Sequence, residues 1–311
     1  MVVQQTYTLK DYKADTHNTW CPGCGDYGIL TALQMALAEI QVPPHKVAVV
    51  SGIGCSGKAP HYVNAYGFHT LHGRSIPSAT GMKLSNPEMT VIAVGGDGDG
   101  YGIGSGYFVN AGRRNIDFTY LVFDNEVYGL TKGQGSPTMR KGLKTKGMAE
   151  AAVQDNINPL ALAISSGYTF VGRGYALNPK ATSQLIAQAV AHRGTSFIDI
   201  VQTCPVYNDL HTKEYYAEMV DGKPRMYWLE NTDYDAVVHD PTNAEEVIEK
   251  KLQAIGKAYE STTQIPLGCY YKIDVPTFED QISTGRPNGM DSILHPNLWE
   301  RDLSKLVDSL R

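Results

Sequence analysis

Short apolar segments rich in β-branched residues alternate with helical segments through the first two thirds of the chain, and this alternation constrains the fold most strongly. The apolar segments are 46–51, 90–95, 118–123, 168–171 and 196–201. The helical segments between them are about 27–40, 104–114, 159–166 and 179–192. Continuous apolar runs of this length suit strands buried on both faces of a parallel sheet. The pattern therefore predicts an α/β fold with a doubly wound, mostly parallel sheet.

The chain changes character after residue 206. Residues 207–240 are rich in Tyr, Asp, Glu and Lys, and residues 243–260 are predicted to form one amphipathic helix. The remainder contains several prolines and is too polar for a core of its own. We expect a ligand-binding α/β domain over 1–206. We expect a C-terminal extended and helical arm over 207–311, whose aromatic residues contact a second subunit.

Composition and charge exclude several classes of partner. Hydrophobic residues make up 42% of the chain and charged residues 19%, so a substantial core is expected. The net charge of −5 gives no electrostatic reason to expect binding to nucleic acid or to an anionic membrane surface. No apolar run approaches the roughly 18–20 residues that span a bilayer. The first twenty residues lack the apolar segment of a secretory signal, so we expect a cytoplasmic protein.

Glycines and polar residues directly follow four of the five predicted strands. They occupy 52–58, 95–100, 124–132 and 202–205. In open α/β sheets, ligands bind beyond the carboxyl ends of the strands. The four segments therefore predict one binding site at this edge of the sheet.

The segment Gly95-Gly-Asp-Gly-Asp-Gly100 combines features that attract and repel phosphate. Its glycines let backbone N–H groups approach a phosphate closely, whereas its carboxylates repel one. A bridging Mg²⁺ resolves the conflict, because it takes a few protein oxygens and completes its shell from phosphates and water. We predict that Asp97 binds Mg²⁺, together with the Asn125 side chain and the Val127 carbonyl. The alternative is a tight turn with surface acids.

Residues 52–57 match the G-x-G-x-x-G pattern after a strand. A dinucleotide site also needs an acidic residue about 20 positions later, for the ribose. Residues 46–87 contain no Asp or Glu, so we exclude NAD and keep only the anion-binding interpretation. Among the basic residues of this stretch, His72 in His72-Gly-Arg74 is the histidine that we assign to the site.

Four of the five cysteines are placed to converge. Cys21 and Cys24 form a close pair, and Cys55 and Cys204 each lie just after a predicted strand. Four thiolates suit zinc or an iron–sulfur cluster. Their position beside an anionic cofactor favours a cluster that transfers electrons, although a structural zinc remains the alternative. We expect Cys269 to be an inert buried thiol.

Several motifs together resemble the β subunit of 2-oxoacid:ferredoxin oxidoreductases. They are Trp20-Cys-Pro-Gly-Cys-Gly25, Gly52-Ile-Gly-Cys-Ser-Gly-Lys58, His72-Gly-Arg74, Gly95-Gly-Asp-Gly-Asp99 and Val127-Tyr-Gly-Leu-Thr-Lys-Gly-Gln134. The resemblance spans roughly residues 15–210 in a consistent order. It implies thiamine diphosphate, Mg²⁺ and one [4Fe-4S] cluster.

The resemblance also implies roles for individual residues. The implied cluster ligands are Cys21, Cys24, Cys55 and Cys204. The implied Mg²⁺ ligands are Asp97, Asn125 and the Val127 carbonyl. The implied surroundings of thiamine diphosphate are Gly54, Cys55, Ser56, His72, Gly96, Asp97, Gly98, Asp99, Asn125, Gly129, Leu130 and Thr131. Lys132 matches a lysine near the substrate or its acceptor, and we take it with His72 as a catalytic candidate. The general thiamine diphosphate motif ends in two asparagines, whereas Glu126 follows Asn125 here.

The implied reaction is the oxidative decarboxylation of a 2-oxoacid with coenzyme A to an acyl-CoA and CO₂, with ferredoxin as electron acceptor. The 2-oxoacid is left open between pyruvate, 2-oxoglutarate and a broad range. The family's α subunit supplies the catalytic glutamate, so the expected assembly is αβ or a dimer of αβ. The alternative is a non-redox thiamine-dependent lyase or synthase subunit with a structural zinc on the cysteines.

Overall fold

The central feature of the fold is one eight-stranded sheet with helices on both faces. A computed structural model describes residues 6–260, 264–283 and 308. In chain order the strands are β1 (Val47–Ser51), β2 (Tyr66–His69), β3 (Thr90–Gly96), β4 (Phe118–Asp124), β5 (Val127–Tyr128), β6 (Gln134–Gly135), β7 (Phe170–Tyr175), β8 (Thr195–Val201), β9 (Met219–Val220), β10 (Lys223–Pro224), β11 (Met226–Trp228) and β12 (Ile265–Lys272). The helices are α1 (Asp26–Ile40), α2 (Ser75–Ser85), α3 (Ser105–Arg114), α4 (Pro159–Ser166), α5 (Pro179–Ala191), α6 (Lys213–Ala217), α7 (Ala244–Tyr259) and α8 (Phe278–Ser283).

Across the main sheet the strands are ordered β11-β12-β7-β8-β4-β3-β1-β2. Neighbouring strands from β7 to β2 are all parallel, whereas β12 is antiparallel to β7. The short strands form two separate pairs, β5 with β6 and β9 with β10. The predicted doubly wound, mostly parallel α/β sheet is therefore confirmed.

The core lies on both faces of the sheet, which explains the continuous apolar strands. In β4, Tyr120 and Val122 pack into the core beneath α2, α3, α4 and α7, whereas Leu121 and Phe123 pack into the core beneath α1 and α5. Successive side chains of a strand point to opposite faces, so a strand covered on both sides must be apolar throughout.

Strands β2, β11 and β12 of the main sheet were not predicted from the sequence. Strand β2 and helix α2 lie within a stretch that we interpreted only as an anion-binding segment. Strand β12 lies in the predicted C-terminal arm but pairs with β7 inside the sheet. Its sequence, IPLGCYYK, lacks a β-branched run, and its stability comes from burial of Tyr270 and Tyr271. The predicted helix 243–260 is present as α7. Residues 261–263, 284–307 and 309–311 of the expected arm lie outside the described residues.

The aromatic residues of 207–228, predicted to form a subunit interface, pack largely against their own chain. Tyr216 is 5% exposed, and its ring centroid lies 5.3 Å from that of Tyr175. Tyr215 lies 4.0 Å beneath the guanidinium of Arg225. Tyr216 is therefore core in this chain rather than free interface surface.

The fold places the carboxyl ends of β1, β3, β4 and β8 next to one another. Register pairs join Ser51 to Val94, Gly96 to Phe123, and Asp124 to Val201. The segments that follow β1, β3, β4 and β8 therefore meet at one edge. Within the described part of the chain, no helix has the length and apolar character needed to cross a membrane.

Candidate cofactor and metal site

A cavity of about 760 Å³, open to solvent, lies at this edge of the sheet. It brings together every residue predicted to surround thiamine diphosphate and the predicted metal residue Val127. They are Gly54, Cys55, Ser56, His72, Gly96, Asp97, Gly98, Asp99, Asn125, Val127, Gly129, Leu130 and Thr131. Their shared location agrees with the predicted site, and their individual roles stay predictions.

Asp97 lies directly after β3 and is buried. Its Oδ2 lies 2.8 Å from Thr138 Oγ1, and the same hydroxyl lies 2.8 Å from Asp124 Oδ1. One hydroxyl hydrogen cannot satisfy both carboxylates, and burial raises the pKa of both acids. A cation beside Asp97 would relieve this cost, so the donor set fits a divalent metal.

Asn125 directly follows β4 and is also buried. Its Oδ1 accepts a hydrogen bond from the Val127 backbone N–H at 3.0 Å. Glu126 between them adopts a left-handed conformation with φ of 62°. Its side chain lines a different cavity together with Arg140, and burial raises its pKa to about 8. Of the two motif positions, Asn125 therefore lines the cofactor cavity, whereas Glu126 lines the other one.

Asp99 joins the segment that follows β1 to the segment that follows β2 through hydrogen bonds to its carboxylate. Its Oδ1 accepts hydrogen bonds from the backbone N–H groups of Ile53 and Gly73, at 2.9 and 2.7 Å, and lies 2.8 Å from His72 Nδ1. These contacts fix the segment after β1 and the ring of His72 beside the cavity. We interpreted Asp99 as an acid facing the phosphates, whereas its Oδ1 is directed at these three groups.

Glycines allow the close approach of these segments. A Cβ at Gly98 would lie 2.1 Å from Cε1 of Tyr128, and one at Gly52 would lie 1.9 Å from Asp99 Oδ2. Neither position could carry a side chain without moving its neighbour.

The four predicted cluster cysteines lie on loops that bond to one another. The Trp20 indole N–H donates to the Cys55 carbonyl at 2.7 Å, and the Gly25 N–H donates to the Thr203 carbonyl at 3.1 Å. A Cβ at Gly129 would lie 3.5 Å from Cys55 Sγ and 3.8 Å from Cys204 Sγ. These contacts gather the cysteine-bearing loops against the segment that follows β4.

The thiols differ in exposure and in acidity. Cys21 is exposed, Cys24 and Cys55 are half-buried, and Cys204 is buried. Burial raises the pKa of Cys55 to about 11 and also raises those of Cys24 and Cys204. Binding of a metal or cluster would therefore release protons from these thiols.

A [4Fe-4S] cubane and a single metal ion require different arrangements of these four sulfurs. In the described residues, no three His, Cys, Asp or Glu side chains lie close enough together to hold one metal ion. A [4Fe-4S] cubane binds one cysteine to each of its four irons, so its ligands need not meet at one point.

Two further predicted residues, Lys132 and Cys269, do not line the cavity. Lys132 is exposed and has a φ of 82°. Cys269 lies in β12 and is half-buried, and desolvation of its thiol raises its pKa to about 12. The second observation agrees with an inert thiol.

Sequence reasoning gave no individual role to several residues of the site. Gln202 and Tyr128 line the cavity. Gln202 directly follows β8, so the rule that selected Asn125 was able to find it. Thr138, which contacts Asp97, lies in the segment between β6 and α4, where no local pattern marks it.

Comparisons with known proteins identify the family. Residues 16–200 match the family model of the thiamine pyrophosphate enzyme C-terminal TPP-binding domain, and residues 204–286 match that of the C-terminal part of the pyruvate ferredoxin oxidoreductase β chain. The chain is 49% identical to a 2-oxoacid:ferredoxin oxidoreductase β subunit of Sulfolobus sp, over 94% of this chain and 95% of the relative. It is 50% identical to the corresponding protein of Saccharolobus solfataricus, over 88% of each.

A similar solved structure belongs to the same family of enzymes. The 2-oxoglutarate:ferredoxin oxidoreductase from Magnetococcus marinus, with 2-oxoglutarate, coenzyme A and succinyl-CoA bound, matches with a TM-score of 0.85 and 32% identity. The match covers 100% of this chain and 98% of that one. The chain therefore belongs to the family of 2-oxoacid:ferredoxin oxidoreductase β subunits.

Proposed function

We propose that this chain is the β subunit of an enzyme that oxidatively decarboxylates a 2-oxoacid with coenzyme A. The products are an acyl-CoA and CO₂, and two electrons pass through a [4Fe-4S] cluster to ferredoxin. One observation carries the proposal: Cys55 and Gly129 line the same cavity as Asp97 and Asn125, and a Cβ built at Gly129 would lie 3.5 Å from Cys55 Sγ and 3.8 Å from Cys204 Sγ.

The residues of the cavity fit a diphosphate held through a metal. Asp97, Asn125 and the Val127 carbonyl would hold Mg²⁺, and the backbone N–H groups of Gly96 and Gly98 would approach phosphate oxygens. Thiamine diphosphate, when bound, supplies a carbon nucleophile and an electron sink for decarboxylation. His72, held by Asp99, is the group of this chain that we assign to proton exchange at the cavity.

The cysteines would hold the cluster that passes the electrons to ferredoxin. Cys21, Cys24, Cys55 and Cys204 would each bind one iron of the cluster. Contact of Cys55 with both the cofactor cavity and the cluster would give a short path between the two centres. A structural zinc remains the competing assignment, and iron and zinc analysis distinguishes the two.

We infer that the cavity is closed by an α subunit. Leu71, Ile103 and Leu130 are 74%, 55% and 53% exposed. Leu71 adjoins His72, Ile103 lies against Gly73, and Leu130 lines the cavity, so these apolar side chains surround its opening. Among the described residues, the acids that line the cavity are Asp97 and Asp99, and both are already engaged. The carboxylate required beside the aminopyrimidine is therefore assigned to the α subunit, in an αβ pair or a dimer of such pairs.

Reconstitution of the αβ complex tests this proposal. The readout is reduction of ferredoxin or a viologen dye under anaerobic conditions, with coenzyme A and each candidate 2-oxoacid. We expect turnover from the αβ complex and none from this chain alone. Full turnover by the chain alone would contradict the shared site.

A further inference from the structure

One buried side chain, Asn208, joins the proposed metal loop, residues 125–127, to the loop that carries Cys204. Asn208 is 2% exposed. Its Nδ2 donates a hydrogen bond to the backbone carbonyl of Asn125 at 2.9 Å. Its own backbone N–H donates to the carbonyl of Cys204 at 3.0 Å. The residue therefore touches both loops through separate groups.

The oxygen and the nitrogen of the Asn208 side-chain amide make different hydrogen bonds. Its Oδ1 accepts from the backbone N–H groups of Leu210 and His211, both at 3.1 Å, and this folds a local turn after Cys204. Its Nδ2 reaches across to Asn125, 83 residues away in sequence, and also lies 3.2 Å from His211 Nδ1. The turn-forming hydrogen bonds to Oδ1 and the long-range hydrogen bond from Nδ2 can therefore be separated by substitution.

The hydrogen bond from Asn208 lies next to an unusual backbone conformation in the metal loop. Asn125 and Val127 flank Glu126, whose left-handed backbone is sparsely populated by residues other than glycine. A hydrogen bond to the Asn125 carbonyl restrains the peptide plane next to this turn. We propose that Asn208 is a positioning residue, which holds Asn125 in the orientation that binds Mg²⁺ and fixes this loop relative to Cys204. The inference rests on the proposed function.

Asn115 offers a matched control at the opposite edge of the sheet. It is also buried, and its Oδ1 accepts from the Thr195 backbone N–H and the Thr169 hydroxyl, both at 2.9 Å. Its Nδ2 donates to the Pro276 carbonyl at 3.2 Å. Asn115 precedes β4, whereas the cofactor cavity follows it. A change of Asn to Asp removes the same kind of donor at both positions.

The test measures the Mg²⁺ concentration that gives half-maximal thiamine diphosphate binding to the αβ complex. Asn208→Asp keeps the turn-forming oxygen but places an oxygen against the Asn125 carbonyl. We expect it to raise the required Mg²⁺ concentration about tenfold, because a buried hydrogen bond is lost. Saturating Mg²⁺ should restore full binding stoichiometry, which a misfolded fraction would not show. Asn208→Ser, which is uncharged and can still form the turn, should give a similar increase.

The controls separate this inference from stability and from the proposed function. Asn115→Asp should lower the unfolding temperature and leave the Mg²⁺ requirement unchanged. An unchanged requirement in both Asn208 variants, or an equal increase in Asn115→Asp, would overturn the inference. Absence of Mg²⁺-dependent thiamine diphosphate binding in the wild-type complex would instead overturn the proposed function.

Discussion

The cofactor cavity and the cysteine centre share one edge of the sheet, but the protein supports them in different ways. Asp97 and Asn125 are buried directly after central strands, and each has a hydrogen-bonded residue behind it, Thr138 and Asn208. The cysteines lie on loops joined by hydrogen bonds from the Trp20 indole and the Gly25 backbone, and Cys21 is exposed. The comparison indicates that the chain preorganises the proposed metal pocket, whereas the proposed cluster would complete its own centre on binding.

The largest expected effect is on the metal pocket alone. Asp97→Ala should abolish Mg²⁺-dependent binding of thiamine diphosphate, because the pocket loses its metal carboxylate. The iron content should stay unchanged. Calorimetry of the complex with thiamine diphosphate and Mg²⁺ measures the first result, and iron analysis the second.

A surface acid provides the control for this substitution. Asp155 is exposed and lies 3.6 Å from Lys141. Asp155→Ala should bind cofactor as the wild type does. Wild-type affinity in Asp97→Ala would remove Asp97 from the metal site.

The converse substitution should affect the cysteine centre alone. We expect the wild-type chain to contain about four iron and four sulfide after anaerobic purification. Cys24→Ser should lose iron and ferredoxin reduction but keep most of its Mg²⁺-dependent cofactor affinity. Cys269→Ser, in β12, should keep its iron. Stoichiometric zinc in place of iron would favour the non-redox alternative.

A smaller effect should follow from removing the support behind Asp97. Thr138→Val deletes the hydroxyl that lies 2.8 Å from both Asp97 and Asp124. We expect cofactor affinity to fall about tenfold, as for the loss of one buried hydrogen bond to a charged group. Thr138→Ser should restore most of it. If Thr138→Val binds as tightly as the wild type, preorganisation of Asp97 by this contact is wrong.

The smallest expected effect concerns the stability of the fold around His211. Burial lowers the pKa of His211 to about 3, and the charges of Arg140 and Arg225 act in the same direction. Glu126, 3.3 Å from its ring, has a raised pKa of about 8, and Tyr215 packs against the ring. Because an unfolded histidine titrates near pH 6.5, only the unfolded chain binds this proton between about pH 6.5 and 3.

Stability from the neutral ring is therefore full above about pH 6.5 and is lost as the pH falls toward 3. His211→Gln should lower stability at neutral pH but flatten its decline between pH 6.5 and 4. The slope should change by at most about 1.4 kcal/mol per pH unit. Chemical denaturation of both proteins across this range measures it, and parallel curves would contradict the neutral histidine.

The parts that the sequence predicted follow from local patterns. Strands β1, β3, β4 and β8 were predictable because burial on both faces makes them apolar throughout. Asp97 and Asn125 were predictable because ligands bind beyond the ends of such strands. Strand β12 was missed because its stability depends on tyrosines packed in a distant core rather than on a β-branched run.

The supporting residues were not predictable for a related reason. Thr138 reaches Asp97 across 41 residues, and Asn208 reaches Asn125 across 83. Neither lies in a motif whose residue types report the contact. The sequence marked the groups that would touch the metal, whereas the groups that hold them in place emerged only from tertiary structure.

Electron transfer from one centre to the other tests the account most directly. A 2-oxoacid added without coenzyme A to the anaerobic αβ complex should produce the electron paramagnetic resonance signal of a reduced [4Fe-4S] cluster. The signal should require thiamine diphosphate and be absent in Asp97→Ala, although dithionite should reduce the cluster of that variant. Cluster reduction by the 2-oxoacid without thiamine diphosphate, or in Asp97→Ala, would contradict the account.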